Sequence, residues 1–293
     1  MSKLSLRPFG IELESIPVGL GVEIVDIIKK NSKRQVIKTK WKQTSGANYW
    51  HVKTDSTCGI GGVKGWEVVS FKASGHKELL EICKVSKALK KYGLRCSENC
   101  GFHVHIDISD FSIEQASILL AYWVKIEPII LKSVPLFRLE SKYCRPISPG
   151  IKNKNTKYSA LEFWNDYGPK DTSIHGNKDK RVTMNLVNYI TYLQSPFLTN
   201  SRSTVEFRFP EGTFNEVNVK NWVVFFINFI ENIKNKKMPD SLLCCRNLNE
   251  FLDISGINDI KNKKWLFYRI FNFDTKKKWR EIARKQIGFS NNI

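Results

Sequence analysis

Three stretches of the chain place apolar residues at helical spacing. From Ser112, the segment SIEQASILLAYWVKIEPIIL carries an apolar stripe behind a capping box, in which Gln115 lies three residues after the Ser112 cap. We expect Pro128 to end or kink this helix, because proline has no backbone N–H to donate. Two more helices are predicted over about residues 76–92 and 217–234, and short helices over the last fifty residues.

Four short segments are rich in strand-forming residues, and three of them alternate strictly between apolar and polar positions. The alternating segments are G-I-E-L-E from Gly10, F-H-V-H-I-D from Phe102 and V-E-F-R-F from Val205, and GWEVVS from Gly65 is less regular. Because helices and long loops separate these strands, the sequence predicts an α+β fold with a mostly antiparallel sheet.

Two loop regions and one domain boundary complete the predicted organisation. The glycine-rich residues 53–65 and the Pro-, Gly-, Asn- and Lys-rich residues 144–180 are predicted to be loops. A boundary near residues 238–241 divides a main domain, residues 1–238, from a basic helical C-terminal extension, residues 239–293.

The strand alternation also determines which residues lie on the face away from the core. If the strands are neighbours, Glu12, Glu14, Glu206 and Glu67 lie within several Å of each other. Two carboxylates 4 Å apart repel by about 4 kcal/mol at an effective dielectric near 20, so cations, bound protons or an arginine must offset them. Polar residues that alternation assigns to this face include Glu12, Glu14, His103, His105, Asp107, Glu206 and Arg208.

These residue types suit a particular chemistry. Carboxylate oxygens with one or two imidazoles are ligands for Mg²⁺ or Mn²⁺, the ions that accompany nucleotide phosphates. Arg208 lies beside Glu206 in the alternation, and its planar guanidinium pairs with oxyanions through two parallel hydrogen bonds. The pattern therefore predicts a site for magnesium and phosphate.

Composition and charge narrow the class of protein. Apolar residues make up 42 % of the chain and aromatic residues 12 %, which excludes a disordered tail or a fibrous repeat. No apolar run approaches the roughly 20 residues that cross a bilayer, and the start MSKLSLRPFGIELE lacks a signal-peptide stretch. Seven cysteines without a scaffold pattern favour free thiols in a reducing compartment. We therefore expect a cytoplasmic protein with no membrane partner.

The net charge of +19 leaves two interpretations open. A body this basic attracts polyanions, so an acidic or nucleic-acid partner is one possibility, and a non-catalytic nucleic-acid-binding protein is the corresponding alternative function. The lysines are scattered as often as clustered, so the other interpretation is a solvated surface. A separate alternative is a structural zinc site, since Cys96, Cys100, His103 and His105 give the spacing C-x3-C-x2-H-x-H.

The motifs taken together resemble a known family. GIELE, the Asp-Ser pair at Asp55, the G-x-E of GWEVVS, CGFHVHI and STVEFRFPEGTFN occur in the order of the amidoligase family, over about residues 8–235. The resemblance implies a glutamine-synthetase-like fold, in which a curved, mostly antiparallel sheet has a polar concave face and helices packed on its other face. It also implies an enzyme that joins a carboxylate substrate to an amine substrate with ATP and Mg²⁺ (or Mn²⁺), through an acyl phosphate.

The resemblance assigns roles to individual residues. The implied metal ligands are Glu12, Glu14, Glu67, His103 and Glu206. The implied contacts to ATP, phosphate or substrate are His105, Arg181, Asn185 and Arg208. The implied catalytic residues are Arg208, Glu206 and His103, with Asp55 or Glu211 as the general base for the amine. Phe71 stands where the family often has proline, and residues 144–180 match no family pattern, so the two substrates stay unidentified.

Overall fold

Seven strands form one sheet in the computed structural model, which describes residues 4–18, 21–38, 48–169, 180–195 and 202–287, with side chains described as far as residue 273. The strand order is β2-β3-β4-β1-β5-β7-β6, and every adjacent pair is antiparallel except β2 and β3. The strands are β1 (Phe9–Ser15), β2 (Gln35–Lys38), β3 (Tyr49–Ile60), β4 (Val63–Val69), β5 (Phe102–Asp107), β6 (Met184–Asn185) and β7 (Thr204–Phe207). The α+β class and the mostly antiparallel sheet are confirmed.

Nine α-helices accompany the sheet in the part of the chain that the structure describes. They are α1 (Gly21–Asn31), α2 (Gly75–Tyr92), α3 (Ile113–Ile130), α4 (Leu136–Leu139), α5 (Ala160–Tyr167), α6 (Val187–Gln194), α7 (Glu216–Ile233), α8 (Leu248–Ser255) and α9 (Ile260–Ile287). The capping box of α3 forms as predicted between Ser112 and Gln115, and the helix ends two residues after Pro128. The helices predicted over 76–92 and 217–234 correspond to α2 and α7.

One face of the sheet carries the apolar half of the strand alternation and packs against helices. On β1, β5 and β7, the side chains of Leu13, Val104 and Phe207 are all fully buried. The ring of Phe207 stacks on Phe226 of α7 with centroids 4.1 Å apart, and Trp123 of α3 lies 5.2 Å from Phe207. Since this face is occupied by the core, the alternate polar side chains are directed to the other face.

Two sequence predictions about local structure are wrong. Residues 53–65 are not a loop, because they belong to β3 and β4, which form a hairpin that turns at Gly61 and Gly62. Both glycines have positive φ, +59° and +80°, which explains the glycine content of the turn. The last fifty residues contain the short α8 but also the 28-residue α9.

The predicted loop over 144–180 is only partly a loop. It contains α5, whose own capping box joins Ser159 to Glu162, and residues 170–179 lie outside the described part of the chain. No helix of the described chain has both the length and the apolar character that crossing a membrane requires.

Candidate metal and phosphate site

The sheet register aligns the polar residues of neighbouring strands. Glu12 of β1 lies opposite His103 of β5, and Glu14 of β1 lies opposite Glu67 of β4. On the far side of β5, His105 lies opposite Glu206 of β7. Directly opposed residues on one face have Cβ atoms only about 4.5–5.5 Å apart, so side chains from four strands meet.

Two glutamates and one histidine form the centre of this cluster. His103 Nδ1 lies 3.0 Å from Glu12 Oε2 and 3.6 Å from Glu206 Oε1. One ligand atom from each of these three residues falls within 4.8 Å of the other two. His105 Nε2 lies 3.2 Å from the other oxygen of Glu12 and 3.8 Å from Glu206 Oε1. The group that could hold a metal is thus two carboxylates and one imidazole, and the imidazole of His105 lies beside it.

Two further side chains hold Glu206. The guanidinium of Arg208 forms an ion pair with Glu206 Oε1, and the amide of Asn185 on β6 donates to Glu206 Oε2 at 2.7 Å. Arg208 Nε also donates to the carbonyl of Tyr143 at 3.3 Å. Arg208 therefore carries a positive charge directly beside the cluster.

A second group lies beside the first, around Glu14. Ligand atoms of Glu14, Asp55 and Cys58 lie within 4.8 Å of one another. The backbone N–H of Gly101 donates to Glu14 Oε2 at 2.5 Å, and the thiol of Cys58 donates to the same oxygen at 3.3 Å. His103 Nε2 lies 3.7 Å from Glu14 Oε1, so His103 links the two groups.

The four glutamates of the site, Glu12, Glu14, Glu67 and Glu206, divide into two pairs by their pKa values. Burial alone raises the pKa of Glu12, but His105 and His103 outweigh it and hold that pKa well below its ordinary value. Burial likewise opposes ionisation of Glu206, and Arg208 and His105 overcome it to lower the pKa. Glu12 and Glu206 are therefore ionised.

The other pair, Glu67 and Glu14, has too little neighbouring positive charge to offset the effect of burial on its pKa values. Burial and repulsion by Glu12 raise the pKa of Glu67 well above its ordinary value, although Lys53 Nζ lies 2.9 Å from Glu67 Oε1. Burial also raises the pKa of Glu14. Both carboxyl groups therefore favour the protonated form, and a divalent cation could replace those protons. The hard oxygen donors together with His103 fit an ion such as Mg²⁺ or Mn²⁺.

Three residues named from the sequence have other partners. Both carboxylate oxygens of Glu211 accept hydrogen bonds from Arg269 of α9, at 2.5 Å and 2.7 Å. Arg181 is exposed, and its guanidinium lies 5.7 Å from the ring centroid of Tyr143. Asp107, which alternation groups with His103 and His105, instead forms an ion pair with Lys72 at 2.8 Å.

The cavity over the cluster contains residues that sequence reasoning missed. It has a volume of about 200 Å³. Lys53 and Thr57 went unnoticed because they lie in the stretch read as a loop, and Asn99, Arg138 and Tyr143 follow no recognisable pattern. The lining includes Glu12, Glu14, Lys53, Asp55, Thr57, Glu67, Asn99, His103, Arg138, Tyr143 and Arg208.

The geometry does not assemble the donor set of the zinc alternative. His103 and His105 face carboxylates, whereas the sulfur of Cys100 accepts from the backbone N–H of Ser97 at 3.4 Å and contacts other thiols. Neither of the two groups of metal-capable side chains in the described residues contains Cys96 or Cys100.

Comparison with protein families agrees with the motifs. The family model described as "Putative amidoligase enzyme" matches residues 6–230. The chain belongs to this amidoligase family. The match spans all seven strands and both groups of the site, and it ends within α7, so α8 and α9 lie outside it. No curated protein matches the chain. Membership of the amidoligase family supports a ligase-type enzyme.

Proposed function

We propose that this amidoligase is an ATP- and Mg²⁺-dependent ligase that joins a carboxylate to an amine through an acyl phosphate. The observation that carries the proposal is the meeting of Glu12, His103 and Glu206 beside the guanidinium of Arg208. Oxygen-rich metal ligands next to a fixed arginine are the features that phosphoryl transfer requires.

The residues around the cluster suit divalent ions in two places. Glu12, His103 and Glu206 would hold one ion, and Glu14 with Glu67, which lies opposite it, would hold another. When bound, Mg²⁺ or Mn²⁺ neutralises phosphate charge and orients the triphosphate. Because Glu14 and Glu67 have raised pKa values in the metal-free protein, ion binding there would displace protons.

Arg208 is proposed to bind the phosphoryl group during its transfer. Its guanidinium is largely buried and already oriented by Glu206 and by the carbonyl of Tyr143. A charge held in place before the reaction stabilises developing negative charge without reorganisation. Asn185 is better placed to position Glu206 than to bind phosphate, since its amide donates to that carboxylate.

Asp55 is the better-placed candidate for the base that accepts the amine proton. It is partly exposed and lines the cavity, and its carboxylate accepts hydrogen bonds from the backbone N–H and the hydroxyl of Thr57. Glu211 is held by two hydrogen bonds from Arg269, so its carboxylate is already engaged.

In the proposed reaction, the substrate carboxylate takes the γ-phosphoryl group and ADP leaves. The amine then attacks the acyl carbon, phosphate leaves, and Asp55 takes the amine proton.

For the direct test, the protein is incubated with ATP, Mg²⁺ and panels of amino acids, polyamines and peptides as candidate substrates. The formation of ADP and of an amide product is then measured by mass spectrometry. Glu12→Gln is expected to lower ADP formation by about 100-fold or more, because it removes a charged ligand at the point of transfer. Glu114→Gln is the matched control, since Glu114 is an exposed glutamate on α3. Equal turnover by wild-type protein and Glu12→Gln would refute the assignment.

A further inference from the structure

Three thiols from separate parts of the chain meet beneath Glu14. Cys58 lies near the end of β3, and Cys96 and Cys100 lie in the segment between α2 and β5. Cys58 Sγ donates to Glu14 Oε2 at 3.3 Å and Cys96 Sγ donates to the carbonyl of Glu14 at 3.3 Å, and both thiols lie close enough to Cys100 to lower the pKa of its thiol. All three are free cysteines.

The backbone around Cys96 and Cys100 is closely packed. A Cβ placed on Gly212 would lie 2.7 Å from Cys100 Cβ and 3.0 Å from Cys96 Cβ, so a single atom at Gly212 would touch both cysteines. Cys96 and Cys100 therefore both pack against Gly212, and a disulfide between them requires their β-carbons to come within roughly 4.5 Å of each other. Cys58 and Cys100 are fully buried, whereas Cys96 is partly exposed, so Cys96 is the thiol of the three that a solute reaches.

The same segment positions a carboxylate of the candidate site. Cys96 Sγ donates to the backbone carbonyl of Glu14 at 3.3 Å, and the N–H of Gly101, directly after Cys100, donates to Glu14 Oε2 at 2.5 Å. A bond between Cys96 and Cys100 would remove the first of these donors and move the second.

We propose that Cys96 and Cys100 form a modification site for hydroperoxides, at which oxidation to a disulfide displaces Glu14. Cys96 loses its thiol proton, its sulfur attacks the terminal peroxide oxygen, and the O–O bond breaks. Cys96 sulfenic acid forms, and the leaving oxygen takes up the thiol proton, which gives water from hydrogen peroxide or an alcohol from an organic hydroperoxide. The sulfur of Cys100 then attacks Cys96 Sγ, the S–O bond breaks, and the hydroxyl leaves as water with the Cys100 proton. Overall, two thiols are oxidised by two electrons and one hydroperoxide is reduced.

Tryptic peptides distinguish this disulfide from its competitor. Cleavage after Arg95 and Lys125 leaves Cys96 and Cys100 on one peptide, whereas cleavage after Lys53 and Lys64 leaves Cys58 on another. The full-length protein is treated with hydrogen peroxide, alkylated with N-ethylmaleimide under denaturing conditions, digested and analysed by mass spectrometry.

The expected product is the 96–125 peptide with an internal disulfide, two hydrogens lighter than the reduced form and free of alkylation until dithiothreitol is added. Cys96→Ser should abolish it. Cys244→Ser is the matched control, since Cys244 is exposed and distant in sequence, and it should leave the product unchanged. A peptide crosslinked from Cys58 to Cys100, or Cys96 oxidised to sulfinic acid without a disulfide, would overturn the proposal.

The effect on Glu14 is measured separately and rests on the proposed metal site. Oxidised protein is expected to bind Mn²⁺ at least tenfold more weakly than reduced protein, with recovery after dithiothreitol. Unchanged Mn²⁺ binding in disulfide-bonded protein would refute the displacement of Glu14. If the reduced protein bound no Mn²⁺, the proposed function would fail, and peptide mapping would still decide whether the disulfide forms.

Discussion

At the scale of residues, the glutamates of one sheet face differ in charge because their neighbours differ. Glu12 has two imidazoles within hydrogen-bonding reach, and its pKa is depressed in spite of burial. Glu67 is buried and is repelled by Glu12, and these two effects raise its pKa although Lys53 is paired with it. In the metal-free protein, Glu67 therefore keeps its proton to a higher pH than Glu12 does.

This difference predicts how stability depends on pH for Glu67→Gln. A carboxyl group whose pKa is raised by folding binds more protons in the folded state than in the unfolded state. Its contribution to the free energy of unfolding therefore falls as the pH rises above the pKa that the group has in the unfolded chain. Without metal, wild-type protein should therefore lose stability relative to Glu67→Gln above pH 4.5. The relative loss can reach about 1.4 kcal/mol per pH unit until Glu67 is ionised. Urea unfolding in EDTA between pH 5 and pH 8 measures it.

The decisive readout is whether the stability of Glu67→Gln relative to wild-type protein increases or decreases as the pH rises. Glu12 and Glu206 have lowered pKa values, so their contribution is lost only on acidification, and they do not produce a loss at rising pH. A free-energy difference between variant and wild type that stays constant or shrinks from pH 5 to pH 8 would contradict the account of Glu67.

The residues that sequence could identify are those whose position follows from strand alternation. Glu12, His103 and Glu206 each alternate with apolar neighbours, so period two predicts their shared face before their distances are known. Tyr143 and Arg138 lie outside any strand, and only the tertiary fold brings them to the cavity. Their contribution could not be predicted from spacing along the chain.

At the scale of elements, the β3–β4 hairpin extends the sheet beyond what the sequence indicated. Glycines were read as a loop signal, although only Gly61 and Gly62 adopt the positive φ of the turn. Gly65 lies within β4, where the backbone oxygens of Ser15 and Cys58 approach it closely. In a strand, a glycine can mark close approach of another backbone, which composition alone does not distinguish from a turn.

Gly65→Ala is therefore expected to destabilise the protein by about 1–3 kcal/mol, the usual cost of inserting a methyl group where there is no space. The new Cβ would lie 2.3 Å from the carbonyl oxygen of Ser15 and 2.7 Å from that of Cys58. The control is Gly150→Ala, because an added Cβ at Gly150 would meet nothing within 4 Å and Gly150 has no positive φ. The measurement compares the denaturant midpoints of the two variants. Equal midpoints for the two variants would show that β4 does not approach β1 and β3 as described.

At the scale of the whole molecule, α9 is joined to the body by a buried arginine. Arg269 donates to the carbonyl of Ser133 at 3.0 Å and to both oxygens of Glu211. Its guanidinium also lies 5.1–5.4 Å from the ring centroids of Trp222, Trp265 and Phe273. The segment after residue 238 thus contacts the main body through charge and aromatic packing, and the boundary drawn from composition stays a prediction.

Arg269→Ala should reduce the free energy of unfolding by about 3–5 kcal/mol, because it leaves Glu211 without its partner. Lys264→Ala, at an exposed position on the same helix, should change stability by less than about 0.5 kcal/mol. Unfolding followed by tryptophan fluorescence and circular dichroism should show one transition in all three proteins. An early transition that removes helical signal alone would instead support an independent C-terminal extension.

The central claim is that carboxylates and imidazole from β1, β5 and β7 hold a divalent cation for ATP phosphates. Titration with Mn²⁺, followed by the electron paramagnetic resonance signal of the free ion with and without ATP, tests it most directly. Wild-type protein and Glu114→Gln are expected to bind Mn²⁺ alike, and more tightly with ATP present. The double variant Glu12→Gln/Glu206→Gln is expected to lose at least about tenfold in Mn²⁺ affinity. Wild-type protein that leaves Mn²⁺ free, or a double variant that binds it equally well, would contradict the claim.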